Sequence, residues 1–372
     1  MKEWQYVKLD DVCAKGSSNI AQKDLENNNG CYPIYGASGF IKNVDFYQQE
    51  KEYIAIVKDG AGVGRAMLLP AKSSVIGTMQ YIIPNDVVNI EYLYYAIVNM
   101  NLARYYSGAT IPHIYFKDYQ KETFKLPSLK EQAKIAKVFN RIVVIIDQRK
   151  QQLQKLDELV KARFVEMFGE PELNGKVLPV FPMSELCEIV DGDRGKNYPK
   201  QEEFSKEGYC LFLNAGNVTS KGFSFDNCVY ITEEKDNLLR KGKLNRGDVV
   251  LTTRGTIGNI AFYDDTVPYE HMRINSGMVI LRMKRERIVE RFFIEQFKMK
   301  LESIKEKTAS GSAQPQLPIS TMNKIMMSTP AIDCQKRFVD FVQQIDKSKL
   351  SVQKSLERLE TLKKSLMQKY FG

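Results

Sequence analysis

Histidine is nearly missing from this chain: among 372 residues there are two, His113 and His271, far apart in sequence. The six cysteines, Cys13, Cys31, Cys187, Cys210, Cys228 and Cys334, include no C-x-x-C pair. Without clustered His and Cys ligands a zinc site is not expected. Scattered thiols fit a cytoplasmic protein with reduced cysteines. No G-x-x-x-x-G-K-[ST] sequence occurs, so an ATP-driven motor is not expected in this chain. Pro-Pro is absent as well, which removes the Asp/Asn-Pro-Pro-Tyr/Phe motif that amino-methyltransferases use on a flipped base. Long apolar runs are also lacking. The longest candidate, residues 142–146, is one turn of an amphipathic helix and cannot span a bilayer. No apolar h-region follows Met1-Lys2-Glu3-Trp4-Gln5, so a signal peptide is not expected.

What the chain does have is a basic surplus of +9 and 43% apolar residues. The apolar fraction suffices for real cores, and at roughly 100–200 residues per domain the length suggests two or three domains. The surplus points to a polyanionic partner. It is distributed unevenly. Residues 1–107 carry −1, residues 108–169 carry +5, residues 170–310 are neutral, and residues 311–372 carry +5.

The two basic segments are copies of each other, offset by 203 positions without a gap. Ser107-Gly108 falls on Ser310-Gly311, Pro112 on Pro315, Pro127 on Pro330, Gln132 on Gln335, and Phe168-Gly169 on Phe371-Gly372. Constant length argues for a structural element, since a loop would tolerate insertions. Each copy begins with a polar turn (residues 107–113 or 310–316), runs to a proline, and then shows an apolar stripe at spacings near 3 and 4. Ile135, Val138, Ile142, Ile145, Leu156 and Leu159 form the first stripe; Phe338, Phe341, Ile345, Val352, Leu356, Leu359 and Leu366 form the second. Long helices are therefore expected over about 128–168 and 331–371, each ending at Phe-Gly, where glycine suits a C-cap. A rod with one apolar stripe is not stable alone, so the two copies are expected to pack as an antiparallel pair.

The segments ahead of the helices echo one another more faintly. Leu9-Asp10-Asp11-Val12-Cys13 resembles Met183-Ser184-Glu185-Leu186-Cys187. Tyr53-Ile54-Ala55-Ile56-Val57 before Gly60-Ala61-Gly62-Val63-Gly64 resembles Val249-Val250-Leu251-Thr252-Thr253 before Gly255-Thr256-Ile257-Gly258. Both read as strand then glycine turn. A second strand follows each (residues 80–83 and 278–281), and helical stretches over 90–106 and 289–308 close them. The expected fold class is α/β: two mixed α/β domains joined by two long helices in an antiparallel coiled coil, with a pseudo-twofold internal repeat.

This layout resembles the specificity subunit of type I restriction-modification systems. The likeness covers essentially the whole chain and is most specific in the Ser310-Gly311-Ser312-Ala313-Gln314-Pro315-Gln316-Leu317 turn and in the helix start Leu126-Pro127-Ser128-Leu129-Lys130-Glu131-Gln132. The second start, Thr329-Pro330-Ala331-Ile332-Asp333-Cys334-Gln335, departs from the first by carrying Cys334 in place of the glutamate. The resemblance implies target recognition domains over 1–107 and 170–310, and helical conserved regions over 108–169 and 311–372. It implies a non-catalytic subunit in which each domain reads one half of a split duplex DNA target. The helices would set the spacing and hold two adenine-N6 methyltransferase subunits, joined by restriction and translocase subunits. S-adenosylmethionine, ATP and Mg would be bound by those partners, and no cofactor is expected in this chain.

One motif opposes that reading. Asp59-Gly60-Ala61-Gly62-Val63-Gly64 after an apolar strand is similar to the loop with which methyltransferases hold S-adenosylmethionine, so a self-contained adenine-N6 methyltransferase is the alternative. A lone glycine loop is weak evidence, and Arg254-Gly255-Thr256-Ile257-Gly258 keeps the bend without the motif. Glu233-Glu234-Lys235 after Asp226 is expected to be a solvated loop rather than a nuclease metal site. For DNA contact, cations and hydroxyls serve phosphates, and Arg, Asn and Gln serve base edges. The first-domain candidates are Lys42, Lys58, Arg65, Lys72, Thr78, Gln80, Arg104, Tyr105 and His113. In the second domain they are Arg194, Lys196, Asn214, Asn217, Arg254, Thr256, Arg273, Asn275, Ser276 and Gln316. Arg65 and Arg254 lead because each sits near one of two equivalent turns. His113 stands where the second copy has Gln316, so a contact role fits it better than general-base catalysis.

Overall fold

A computed structural model describes residues 4–108, 111–173, 175–309 and 316–372, the side chains of 307–309 excepted. Ala109 and Thr110 of the first repeated turn, and residues 310–315 of the second, lie outside the described residues. The chain forms two compact units, residues 1–152 with 352–372, and residues 153–351.

The long helices span Leu129–Phe168 and Ile332–Phe371, 40 residues each, or roughly 60 Å at 1.5 Å per residue. Each follows a proline, which cannot continue a helix backwards. At the first start Ser128 Oγ lies 3.2 Å from Glu131 Oε2, and the Glu131 and Gln132 amides donate to the Ser128 carbonyl. At the second start Cys334 takes the glutamate's place and accepts from Arg337 Nη2 at 3.2 Å, and the helix is kept. Gly169 ends the first helix with φ +79° while its N–H donates to the Val165 carbonyl, a left-handed cap that favours glycine.

Each unit contains the start of one long helix and the end of the other. In the first, Leu366, Met367, Tyr370 and Phe371 pack with Ile135, Ala136 and Phe139. In the second, Val160, Phe164 and Phe168 pack with Phe338, Val342 and Ile345. The pair is therefore antiparallel. Phe371 meets Tyr92 at 5.0 Å and Phe168 meets Phe292 at 5.1 Å, so each helix end also seals an α/β body.

The two α/β bodies share one topology. A four-stranded antiparallel sheet runs Cys13–Ser17, Met79–Pro84, Tyr53–Val57, Ala66–Leu69 in the first, and Cys187–Asp191, Met278–Met283, Val249–Thr252, Ile260–Phe262 in the second. A smaller sheet in each contains one parallel pair: Tyr32–Gly36 with Ser74–Val75, and Cys210–Leu213 with Met272–Ile274. The N-terminal strand of each body pairs with the strand entering its long helix, Gln5–Lys8 with Thr123–Leu126 and Val180–Pro182 with Met326–Ser328. The central strands Tyr53–Val57 and Val249–Thr252 are buried at every position. Both of their faces are covered, which is why they read as continuous apolar runs rather than alternation. The helical stretch expected over 90–106 stops at Asn99: Asn101 adopts φ +50°, which an L residue cannot hold within a right-handed helix, and a 3₁₀ turn Leu102–Tyr105 follows.

Two further pairs of residues repeat. Cys13 and Cys187 are buried and donate their thiols to the Leu9 and Met183 carbonyls, and burial pushes each thiol up to about 12. Gln132 and Gln335 are buried clamps. Gln132 accepts from the Asn89 amide (2.7 Å) and donates to the Val87 and Pro127 carbonyls. Gln335 accepts from the Val289 amide (2.9 Å) and donates to the Arg287 and Pro330 carbonyls. Each ties the start of a long helix to the N-terminus of its body's own helix. No described helix is long and apolar enough to cross a membrane.

Candidate nucleic-acid interface

In both bodies the central strand ends in the same backbone device. The amides of Lys58 and Asp59 donate to the Thr78 carbonyl at 3.0 and 3.2 Å; those of Thr253 and Arg254 donate to the Gly277 carbonyl at 2.9 and 3.3 Å. The chain leaving the repeated turn then crosses the strand end. Ile114 N–H donates to the Lys58 carbonyl (2.9 Å), and Leu317 N–H to that of Thr253 (3.0 Å). Single bridges pair Asp59 with His113 and Arg254 with Gln316. These bonds fix the equivalence: His113 corresponds to Gln316, and Asp59 corresponds to Arg254. Arg65, though near the equivalent turn, is not the counterpart of Arg254.

The glycines of this turn are needed for packing. Gly64 N–H donates to the Val57 carbonyl and Gly258 N–H to that of Thr252, at φ +83° and +91°. A Cβ on Gly64 would lie 2.3 Å from the Ala103 backbone nitrogen, and one on Gly258 2.2 Å from a Leu301 methyl. The loop that resembled a cofactor cradle is thus the place where the sheet meets the closing helical segment.

In the second body, Arg194, Arg254 and Gln316 come together in a cleft of about 260 Å³ that Asp191, Thr253 and Leu317 also line. Arg194 Nη2 donates to Asp191 Oδ1 at 3.1 Å and to the Ser276 carbonyl at 3.2 Å. Asn275 shapes the neighbouring turn by accepting from the Gly277 amide at 2.9 Å. Thr256 stands exposed at the crest of the glycine turn, and Lys196 is exposed in its loop. Asn214 caps a 3₁₀ turn through the Gly216 amide (2.8 Å).

Three candidates are corrected by burial, since a side chain sealed in the core cannot reach a groove. Arg273 is 3% exposed; its Nε donates to Asp236 Oδ1 at 2.7 Å, and its other nitrogens bond the Lys241 and Asp236 carbonyls. Burial pushes the Asp236 carboxyl up, but hydrogen bonds from Lys243 and Arg273 outweigh it and hold the group below the usual carboxylate range. Asn217 is buried with its amide on the Ser224 and Asn227 carbonyls. Gln80 is buried with its amide on the Tyr119 hydroxyl.

The remaining first-body candidates differ in how free they are. Arg104 pairs with Glu122 at 2.6 Å and lies 5.0 Å over the Tyr105 ring, while the Tyr105 hydroxyl also bonds Glu122, so this cation is already offset. Lys42 Nζ donates to the Leu25 carbonyl at 2.9 Å. Arg65 donates to the Ala37 carbonyl. Lys58 lies 3.8 Å from Asp59. Lys72, at φ +53°, and Thr78 are exposed. His113 is half-buried against the Tyr115 ring, 4.7 Å away edge-on. Asp59 is an acid and so does not stand among the cations that sequence offers for phosphate contact. The signal that finds it is the register of the two strand-and-glycine turns, in which the first loop has one extra residue.

Two copies of one α/β body, each sealed by the end of a long helix, define a class of internally duplicated protein with one candidate surface per copy. The family model for the type I restriction modification DNA specificity domain matches residues 1–158 and 178–362, and the chain belongs to that family. Among curated proteins it is 25% identical to the type I restriction enzyme MjaVIII specificity subunit of Methanocaldococcus jannaschii, over 98% of this chain and 91% of that one. It is 24% identical to the MjaIX specificity subunit of the same organism, over 77% of this chain and 69% of the other. Its fold is similar to the crystal structure of a type I restriction-modification S subunit from M. genitalium (TM-score 0.65, 17% identity, covering 100% of this chain and 96% of that one). It is also similar to a chain from a structure of type I restriction-modification complex assembly and conformational transition (TM-score 0.58, 16% identity, covering 100% and 98%).

Proposed function

We propose that this chain is the non-catalytic DNA specificity subunit of a type I restriction-modification complex, reading a bipartite duplex target with one α/β body per half-site. The observation that carries the reading is the duplicated strand-end device with different side chains mounted on it, Asp59 and His113 in one copy and Arg254 and Gln316 in the other. A shared scaffold with unlike contact residues suits two unlike half-sites, and reader modules on a frame of set length select targets at a set separation. On this reading the domains are residues 1–107 and 170–310, and the helical regions 108–169 and 311–372 set the spacing and dock two adenine methyltransferase subunits. Restriction and translocase subunits join that core, and S-adenosylmethionine, ATP and Mg reside in the partners. The assembly works in the cytoplasm. In the second body Arg194, Lys196, Arg254, Thr256, Ser276 and Gln316 contact DNA, with Asn214 and Asn275 shaping the turns. In the first, Lys58, Arg65, Lys72, Thr78 and His113 do so, with Lys42, Arg104 and Tyr105 at the margin.

The test is methylome mapping of host cells with and without this chain. A split motif with methyladenine in each half, present only with the chain, is the expected result. Methyl transfer to DNA by the purified chain alone would overturn the non-catalytic assignment.

A further inference from the structure

The equivalence of Asp59 and Arg254 has a chemical consequence. Both residues leave the end of the central strand, both are held by two adjacent amides on one carbonyl, and both are bridged by the crossing segment. Their backbones are fixed alike, so their side chains start from the same point of the same scaffold. The side chains are opposites. Arginine offers five donors and no acceptor; an ionised aspartate only accepts. Arg254 is exposed and forms no ion pair among the described residues. Asp59 is half-exposed, and among the described residues its one ion-pair partner, Lys58, stands off at 3.8 Å.

A carboxylate on a surface that meets a polyanion is repelled by the phosphates unless it accepts from a base. In the major groove guanine presents two acceptors that match an arginine fork, and cytosine presents an exocyclic amine donor that a carboxylate can accept. We infer that this strand-end position is the same base-reading point in both domains with inverted chemistry: Arg254 reads a guanine in one half-site, and Asp59 reads a cytosine amine in the other. The inference rests on the DNA-specificity reading proposed above and adds the base class at one position of each half.

The experiment uses the full chain with its methyltransferase partners in cells. Methylated motifs are mapped for the wild type, Arg254→Gln, Arg254→Lys and Asp59→Asn. The expected result for Arg254→Gln is a loss of about ten- to a hundredfold in selectivity at one guanine, with the other half-site unchanged. Arg254→Lys keeps the charge but not the fork and retains only part of the selectivity at that guanine. Asp59→Asn relaxes a cytosine position in the opposite half-site. The inference is overturned if Arg254→Gln leaves the motif intact, if it weakens methylation evenly at all sequences as a phosphate contact would, or if both positions relax the same half. Should Asp59→Asn prove unstable by melting, Asp59→Ser takes its place, and a cytosine position that stays fixed with it overturns the Asp59 assignment. If the wild-type chain yields no split motif, the specificity reading itself fails, which is a different outcome from a wild-type motif that the variants do not change.

Discussion

Asp236 shows what a single buried charge does in this protein. It is fully buried, bonds Arg273 at 2.7 Å and also holds Lys243. Its carboxyl is held below the usual range, so its contribution is present above an unfolded pKa of about 3.9 and is lost as pH falls through the lowered folded value. Asp236→Asn leaves the Arg273 charge buried without its counter-ion, a loss of about 3–5 kcal/mol. Urea midpoints between neutral and acid pH should show the wild type losing this increment only in acid, and the variant starting low without that acid step. Parallel pH profiles in the two proteins would refute the assignment. The glycine turn offers a second residue-scale contrast. Gly60→Ala meets open space and carries only the strain of φ +84°, whereas Gly64→Ala also drives a Cβ into the Ala103 backbone. The expected cost is about 1 kcal/mol for the first and about 3 kcal/mol for the second, read as melting temperatures. Equal losses would mean that the turn is held by conformation alone.

Helices carry the next level. Buried Gln335 satisfies three backbone groups where the second long helix begins. Gln335→Leu strands those groups in the core, with an expected loss of about 2–4 kcal/mol in denaturant unfolding. A variant as stable as wild type would mean that water replaces the clamp. The far end of the same helix has a built-in reporter. Trp4, the one tryptophan in the chain, stacks on Tyr370 with ring centroids 6.1 Å apart. Tyr370→Ala should expose the indole and move its emission to longer wavelength without unfolding the helices; an unchanged spectrum would mean that Trp4 does not sense the helix end. The helices themselves were legible in sequence because a stripe at spacings of 3 and 4, a proline before it and a glycine after it are local signals. Their partners were partly legible too: a stripe without its own cover demands one, and the gap-free copy supplied it. In the α/β bodies the central strands, the glycine turns, the strand after each turn and the closing helices were legible, and the small sheets were not. The parallel pair in each small sheet joins residues about 40 to 60 apart, and nothing local encodes that pairing.

At the scale of the whole molecule the basic surplus and most of the candidate base readers are separated in sequence, His113 and Gln316 excepted. Residues 108–169 and 311–372 hold the net positive charge, while the two bodies are close to neutral. Affinity from charge and selectivity from side chains can then be changed separately. Inserting one heptad into each long helix lengthens each by about 10 Å, close to three base-pair steps of about 3.4 Å. The mapped motif should keep both half-sites and gain about three base pairs between them. Altered half-sites with an unchanged gap would show that the helices do not set the spacing.

The sequence by itself determined the duplication, the long helices and the central strands. Each of these is written in local spacing or in a constant offset of 203 residues. Tertiary structure alone decided which polar residues are free. Arg273, Asn217 and Gln80 look like readers in sequence, yet their partners at Asp236, Ser224 and Tyr119 close over them. Asp59 is no cation, and only backbone bonds from distant segments within its own body make it the counterpart of Arg254. The physical reason is the same in both cases. A side chain's type fixes what it can bond, but burial and the partners that distant segments bring to it decide whether any of that capacity remains for DNA.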